Sequence, residues 1–370
     1  MRVLHLVNGY FMSSVHSELF RRLDDAGIEQ IVYNVMRKNE RHLVGENEFE
    51  GKHIRFVYEP ILEPYHKLLF FKKKRDTLNN LLRLIDVGSV DIIHASTSNS
   101  DGAVALELHK RYGIPYIVAV RNTDIDIHGR MPYLWHLHRN VLKNAFKVIC
   151  ITPLLQNRLI AHPSMLGMNS VLETKSIVIH NGINSFWLDN SDLMNRKGNS
   201  ILFVGKFDKN KNVLRLIEAV GQLRVEFPDI RLDLVGGGGV NHSRIVSLVA
   251  RNNSWLSYLG KIYDKERLLE VYRQHSVFAM VSLRETFGLV YIEAMSQGMK
   301  VLFTKGQGID GLFDAKIGEG VDARSVAEIK AGLRKLLLEN YVCLSQSQLN
   351  RFDWHGIAKQ YVDLYKRMML

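Results

Sequence analysis

The chain has 370 residues, long enough for two domains that each close a core, and its 46% hydrophobic and 24% charged content is that of an ordinary globular protein. Its 49 Lys and Arg outnumber 38 Asp and Glu, a net charge of +11 that favours an anionic partner: a phosphorylated small molecule, a nucleic acid or an acidic membrane surface. Only Cys150 and Cys343 are present, so no disulfide framework is expected and a reducing cytosol is. No apolar run approaches the roughly 18 residues of a membrane span.

The start, "MRVLHLVNGYF", reads as a first buried strand ending at Asn8-Gly9 rather than as a signal peptide. Apolar runs at 2–7, 30–35, 91–96, 116–120 and 147–151 predict further strands. Between the third and fourth, "DGAVALELHKRYG" has helical spacing and a stop at Gly113. Strands that are apolar throughout and linked by helices imply a parallel sheet covered on both faces. The pattern restarts after a polar stretch at 186–200, with runs at 201–205, 231–237, 277–282 and 300–304 and a helix over 212–227. The segment at 352–370 has the stripe of an amphipathic helix. Two doubly wound halves are therefore expected: 1–183, joined by 355–370, and 184–354. In such sheets ligands lie beyond the carboxyl ends of the strands, and the cleft between two such halves is the default site.

The loops after the strands carry the candidate chemistry. In "VGKFDKNKN", Gly205 ends a strand, and Lys206, Lys209 and Lys211 precede a helix whose N-terminus is already electropositive. The loop is either a solvated basic turn or the seat of an anion such as a diphosphate. Gly236 and Gly237 open a four-glycine run that serves a tight turn or a close approach to a ligand, without a dinucleotide fingerprint. In "LRETFGLVYIEAMSQG", a helix is predicted from near Phe287 or Gly288, directing the N–H groups of Phe287, Gly288 and Leu289 outward. At roughly 1.5 Å per helical residue, Glu285 and Glu293 stand too far apart for a shared-proton dyad. They are helix punctuation or two separate acceptors for vicinal hydroxyls.

In the first half, Arg121, Asn122, Thr123 and Asp124 form a polar cluster at a strand end and favour a binding role. Ser100 or Asp101 caps the helix that follows. His128, His136 and His138 lack Cys or acidic partners at ligand spacing, so no metal is expected. The segment 64–85 mixes Leu, Phe and the run Lys72 to Arg75, as either a solvated helix face or one lying on an anionic membrane. No nucleic-acid-binding module is recognisable.

Taken together, "VGKFDKNKN", "LDLVGGG", "YLGKI", "SLRETFGLVYIEAMSQGMKVL" and "IVIHNGIN" resemble the retaining glycosyltransferases of family 4, which have the GT-B fold. The glutamate stretch is similar to that family's E-x7-E motif. The resemblance implies two Rossmann-like domains, the second holding a nucleotide-sugar donor, UDP- or GDP-linked, with no metal cofactor. It assigns Lys206 and Lys211 to the diphosphate, Glu293 to the ribose and Glu285 to the transferred sugar. Gly9, Gly205, Gly236, Gly237, Lys261, Ile262, Thr286, Phe287, Gly288 and Leu289 complete the donor set. Ser13, Ser14, Arg121, Asn122, Thr123 and Asp124 form the acceptor side. Two departures stand out. Lys206 occupies a position where relatives usually carry Arg, and "RNTD" stands where they commonly have a histidine, leaving Asn122 or Thr123 for that sugar contact. The implied protein is a cytoplasmic enzyme, peripheral at the inner face of the membrane, acting on a glycan or polyprenyl-diphosphate-linked acceptor in cell-surface polysaccharide synthesis. A GT-B epimerase or phosphorylase and a non-catalytic nucleotide-sugar-binding subunit are the alternatives.

Overall fold

Two wholly parallel sheets organise the protein, in a computed structural model that describes residues 1–12 and 14–370. The first sheet contains β1 (Arg2–Leu6), β2 (Glu29–Arg37), β3 (Ile54–Leu62), β4 (Ile92–Ala95), β5 (Tyr116–Ala119), β6 (Lys147–Cys150) and β7 (Ser176–Val178), in the order β3-β2-β1-β4-β5-β6-β7. The second contains β8 (Ser200–Lys206), β9 (Arg231–Gly237), β10 (Leu256–Gly260), β11 (Val277–Ala279), β12 (Lys300–Thr304) and β13 (Gly318–Val321), in the order β10-β9-β8-β11-β12-β13. Both are Rossmann-like. In each, the chain builds outward from its first strand in one direction and then resumes on that strand's other side. Topological switch points therefore lie at the carboxyl ends of β1 and β4 in one sheet and of β8 and β11 in the other.

Interior strands form because apolar residues dominate them, and every residue of β4, β5 and β11 is buried, His94 on β4 included. Sequence patterning identifies these interior strands and passes over four others, β3, β7, β10 and β13. All four lie at sheet edges. One side of an edge strand is unpaired and its residues are half-covered, so no continuous apolar run is needed. β3 even carries Pro60, which an edge tolerates. The helix predicted over 212–227 spans Val213–Leu223, and the polar stretch at 186–200 contains a short helix, Ser185–Asp189. That helix buries Trp187 edge-on against Tyr272, with ring centroids 5.3 Å apart.

The chain divides into two compact units, Met1–Asn181 with Trp354–Leu370, and Gly182–Asp353. The helix Trp354–Met368 returns to the first unit. Its Trp354, Ile357, Tyr361, Leu364 and Tyr365 join Val3, Tyr10, Phe20, Ile92 and Ile149 in one core. Tyr365 is fully buried, and its hydroxyl lies 2.7 Å from His94 Nδ1 on β4.

Candidate functional site

At the switch point of the second unit, the loop after β8 meets the loop after β11. Asn210 stitches them together: its side-chain amide donates to the Arg284 carbonyl at 2.9 Å, and its Oδ1 accepts from the Arg284 N–H at 3.0 Å. Its carbonyl accepts from the Leu283 N–H at 2.8 Å. Asp208 accepts from the Lys211 N–H at 2.9 Å. Buried Asn212 adopts a left-handed conformation, φ 59°, and its amide reaches the carbonyls of Val281 and Ala323. With the backbone held on both sides, Lys211 Nζ lies 2.7 Å from Glu285 Oε2, the lysine about three-quarters buried and the glutamate more so. Ser282 Oγ stands 3.4 Å from the same oxygen, and Gln307 accepts from the Glu285 N–H at 3.1 Å.

Glycine shapes what surrounds this pair. Gly288, at φ 81°, precedes the helix Leu289–Ser296, so the helix begins a residue or two later than predicted. A Cβ there would lie 2.5 Å from the Tyr291 ring and 3.2 Å from Glu285 Cγ. Gly236, at φ 124°, lets β9 run against β8; a Cβ would fall 1.9 Å from the Gly205 carbonyl oxygen. Gly237 is similarly crowded by the Tyr258 hydroxyl. Packing within the unit thus accounts for both positions of the glycine run.

Glu293 projects from the second turn of its helix, partly buried, with the Tyr272 hydroxyl donating to Oε2 at 3.3 Å. Burial pushes its carboxyl up to about 7, against the opposing effects of that hydrogen bond and of Lys265. Lys206 ends β8 with an exposed side chain. Lys261 is exposed and Ile262 half-buried beyond the edge strand β10, while Thr286 directs its N–H to Glu285 Oε1 at 3.2 Å and Phe287 is buried. The structure therefore brings Lys211 and Thr286 onto Glu285, with Gly288 close behind it, and leaves Lys206 and Lys261 in solvent. Asp208, Asn210, Asn212, Ser282 and Gln307 were not singled out from the sequence. Their polar side chains look like ordinary loop composition until the two loops meet.

The first unit has its own switch point. Gly9, at φ 78°, donates its N–H to Asn34 Oδ1 at 3.0 Å, and the Asn8 amide donates to the buried Asp101 carboxylate. Asp101 is thereby tied to the β1 loop, beyond the capping role expected for it, and burial pushes its carboxyl up to about 7. Ser14 is exposed at the start of the helix Ser14–Asp25, and Ser13 lies outside the described residues.

Of the four polar residues at 121–124, Thr123 is exposed, and Asn122 accepts from Arg158 at 3.4 Å. Arg121 donates from Nε to the Ser96 carbonyl at 3.1 Å. Asp124 is fully buried and accepts from the N–H groups of Ser98, Asn99 and Arg121. These bonds make Asp124 an internal bracket between the loops that follow β4 and β5. Burial opposes its ionisation, but His128 at 3.9 Å, the charge of His138 and these N–H groups bring it down to about 2. His138 is buried on Ser98 Oγ at 2.8 Å. Among the described residues, no group of three His, Cys, Asp or Glu is arranged to hold a metal ion, and no helix is long and apolar enough to cross a membrane.

Comparison with known proteins places this geometry. The profile described as Glycosyltransferase Family 4 matches residues 12–185, and that described as Glycosyl transferases group 1 matches residues 188–351. An uncharacterized glycosyltransferase of Methanocaldococcus jannaschii is 26% identical over 373 residues, spanning 95% of this chain and 94% of its own. A phosphatidyl-myo-inositol mannosyltransferase of Mycobacterium tuberculosis is 27% identical over 185 residues, 46% of this chain and 48% of its own. Among solved structures, a sucrose-phosphate synthase of Thermosynechococcus elongatus superposes with a TM-score of 0.70 at 20% identity, over 100% of this chain and 99% of that one. An Anabaena protein in complex with UDP and glucose superposes with a TM-score of 0.66 at 16% identity, over 99% and 100%. Two profiles covering successive parts of the chain, and a fold shared from end to end, place it in the family 4 glycosyltransferases of GT-B fold.

Proposed function

We propose that this glycosyltransferase moves a sugar, with retention of anomeric configuration, from a UDP- or GDP-linked donor to a glycan or polyprenyl-diphosphate-linked acceptor. The reaction takes place at an anionic inner membrane face, in cell-surface polysaccharide synthesis. The contact between Lys211 and Glu285 carries the reading. It joins the basic loop and the glutamate loop at the switch point, where a diphosphate and its attached sugar would meet a cation and a carboxylate a hydrogen bond apart. The Anabaena neighbour, whose structure holds UDP and glucose, supports the donor class.

In this mechanism Lys211, with Lys206 at the β8 end, stabilises the charge that builds on the β-phosphate as the bond from the anomeric carbon to the phosphate oxygen breaks. The acceptor oxygen forms its bond to that carbon on the same face, and its proton passes to the departing phosphate oxygen. Glu285 holds a hydroxyl of the transferred sugar and, when no donor is bound, holds Lys211 in place. Glu293 accepts the two ribose hydroxyls. Fixed lysines and backbone N–H groups supply the positive charge, so no metal is required.

A thermal-shift screen with UDP-, GDP-, ADP- and CMP-linked sugars tests the donor, since selective binding raises apparent stability by mass action. Lys211→Ala is expected to lower transfer roughly 100-fold, the scale for removing one group that stabilises a developing anion. Unchanged transfer in that variant, or a product of inverted anomeric configuration by NMR, would overturn the mechanism. Release of a sugar phosphate without acceptor would overturn the reaction class.

A further inference from the structure

The contact between Lys211 and Glu285 has a geometric support one residue upstream. Asn210 precedes Lys211 and Arg284 precedes Glu285, so both pairs span the same 74 positions, in one register. Asn210 is half-buried, and its side-chain amide acts as a second peptide group. Nδ2 donates to the Arg284 carbonyl at 2.9 Å, and Oδ1 accepts from the Arg284 N–H at 3.0 Å. The Asn210 carbonyl accepts from the Leu283 N–H at 2.8 Å. The backbone just before the lysine is thus tied to the backbone just before the glutamate.

Neighbouring polar groups serve other ends. Asp208 accepts from the Lys211 N–H at 2.9 Å and so closes the turn within its own loop. Asn212 is buried and gives its amide to the carbonyls of Val281 and Ala323, at 3.1 and 2.7 Å. Removing that amide would leave buried carbonyls unpaired and cost the fold stability. Gln307 accepts from the Glu285 N–H at 3.1 Å, and the Gly308 N–H donates to the Glu285 carbonyl at 3.1 Å, so the loop after β12 holds the glutamate as well. Of these side chains, Asn210 alone links the residue before the lysine to the residue before the glutamate.

Hydrogen bonds at a half-buried position contribute little to stability, because water replaces them when they are lost. Asn212 and Gln307 still hold the two loops without them. What Asn210 fixes is a separation. A cation and a carboxylate that grip the phosphate and the sugar of one donor tolerate little drift, since a misplacement of about 1 Å lowers a rate by about 100-fold.

We infer that Asn210 is a positioning residue for sugar transfer: it sets the distance between Lys211 and Glu285 and touches neither donor nor acceptor. The inference rests on the roles proposed above for that pair.

Steady-state kinetics of Asn210→Ala, alone and combined with Glu285→Ala, test it. The assay is turnover of the nucleotide sugar selected in the thermal-shift screen. Asn210→Ala should lower kcat by about 100-fold and raise the donor KM by less than about threefold. It should melt cooperatively within about 5 °C of the parent. Combined with Glu285→Ala, where no carboxylate is left to place, the same change should lower kcat by less than about fivefold further. If Asn210→Ala melts lower than that, Asn210→Ser takes its place: serine keeps a turn-forming residue whose shorter side chain cannot span both Arg284 groups. The inference is overturned if kcat is unchanged, if the loss lies in KM alone, or if the loss is equal with and without Glu285→Ala. Lys211→Ala separates it from the reading beneath it. Parent-level turnover in Lys211→Ala would sink both; slow turnover there beside parent-level turnover in Asn210→Ala would sink this inference alone.

Discussion

At the switch point of the second sheet, Lys211 and Glu285 sit 2.7 Å apart on loops pinned by Asp208, Asn210 and Asn212. The carboxyl end of the first sheet holds the Asn8–Asp101 hydrogen bond and a cavity of about 390 Å³ whose walls include Leu62, Phe70, Met131 and Tyr133 and whose cations include Lys73. One unit offers fixed polar groups at bonding distance; the other offers space, apolar wall and enclosed charge. The difference teaches which unit can fix a ligand by backbone geometry and which can shape itself to one by side chains. Rigid backbone geometry suits the first, and side-chain surface suits the second.

The comparison is broken most severely through Gly236. A Cβ 1.9 Å from the Gly205 oxygen cannot be relieved without separating β8 from β9. Gly236→Ala is therefore expected to cost more than about 4 kcal/mol and to abolish nucleotide binding. Cooperative thermal unfolding and normal donor affinity in this variant would show that the loops are less rigid than described.

Acid separates the two units next. In the first, the His5 and His94 ring centroids lie 5.3 Å apart, and both His5 and His16 lie against the Phe20 ring, at 4.0 Å and 5.9 Å. Burial and the neighbouring positive charges hold His16 and His94 down to about 3, and His5 well below its ordinary value. Folded pKa values below 6.5 mean that this stability is present above pH 6.5 and is lost as pH falls toward 3. Each histidine costs about 1.4 kcal/mol per pH unit in that window. Asp101, raised to about 7, works against them as one group. In the second unit Glu293, raised to about 7, runs the other way: its contribution is greatest below the ordinary glutamate range and is lost as pH rises through 7. Trp135 and Trp354 report on the first unit, Trp187 and Trp255 on the second. Melting of two variants, each keeping one pair with the other pair changed to Phe, should show the first unit destabilised between pH 7 and 5 while the second is not. Parallel shifts of both would refute the contrast.

A smaller effect sharpens the donor side. A ribose diol donates to the ionised carboxylate, so affinity for the selected nucleotide sugar should rise by up to about tenfold per pH unit below pH 7 and then level off. Glu293→Gln should flatten that profile, and a persistent slope by calorimetry would remove Glu293 from the site. The smallest change concerns the first unit: Tyr365→Phe, which deletes the 2.7 Å contact to His94, is expected to cost about 1–2 kcal/mol in denaturant unfolding and to leave donor affinity untouched.

What was legible in the sequence follows from which constraints are local. Interior strands are covered on both faces and are mostly apolar, with a few buried polar residues such as His5, Asn34 and His94, so they announce themselves. β3, β7, β10 and β13 are edges and do not. The Lys211 and Glu285 loops stand out because charge and glycine cluster within a few positions. Asp124 looked like a surface polar group because its partners, Ser98 and Asn99, are 26 and 25 positions away. The cavity is assembled from segments near residues 37, 63, 73, 100 and 130, no one of which is unusual alone, so only the fold could reveal it.

The return of the helix Trp354–Met368 to the first unit has a bearing on synthesis. A chain leaving the ribosome exposes its N-terminal unit first, and such units ordinarily close while the rest is made. Here Tyr10, Phe20 and Ile92 wait for Trp354, Tyr361 and Tyr365, which are translated only after all of Gly182–Asp353. The first unit to emerge is thus the last to be sealed. Its apolar face stays open through the whole making of the second, an interval in which a stalled or truncated product would be prone to aggregate.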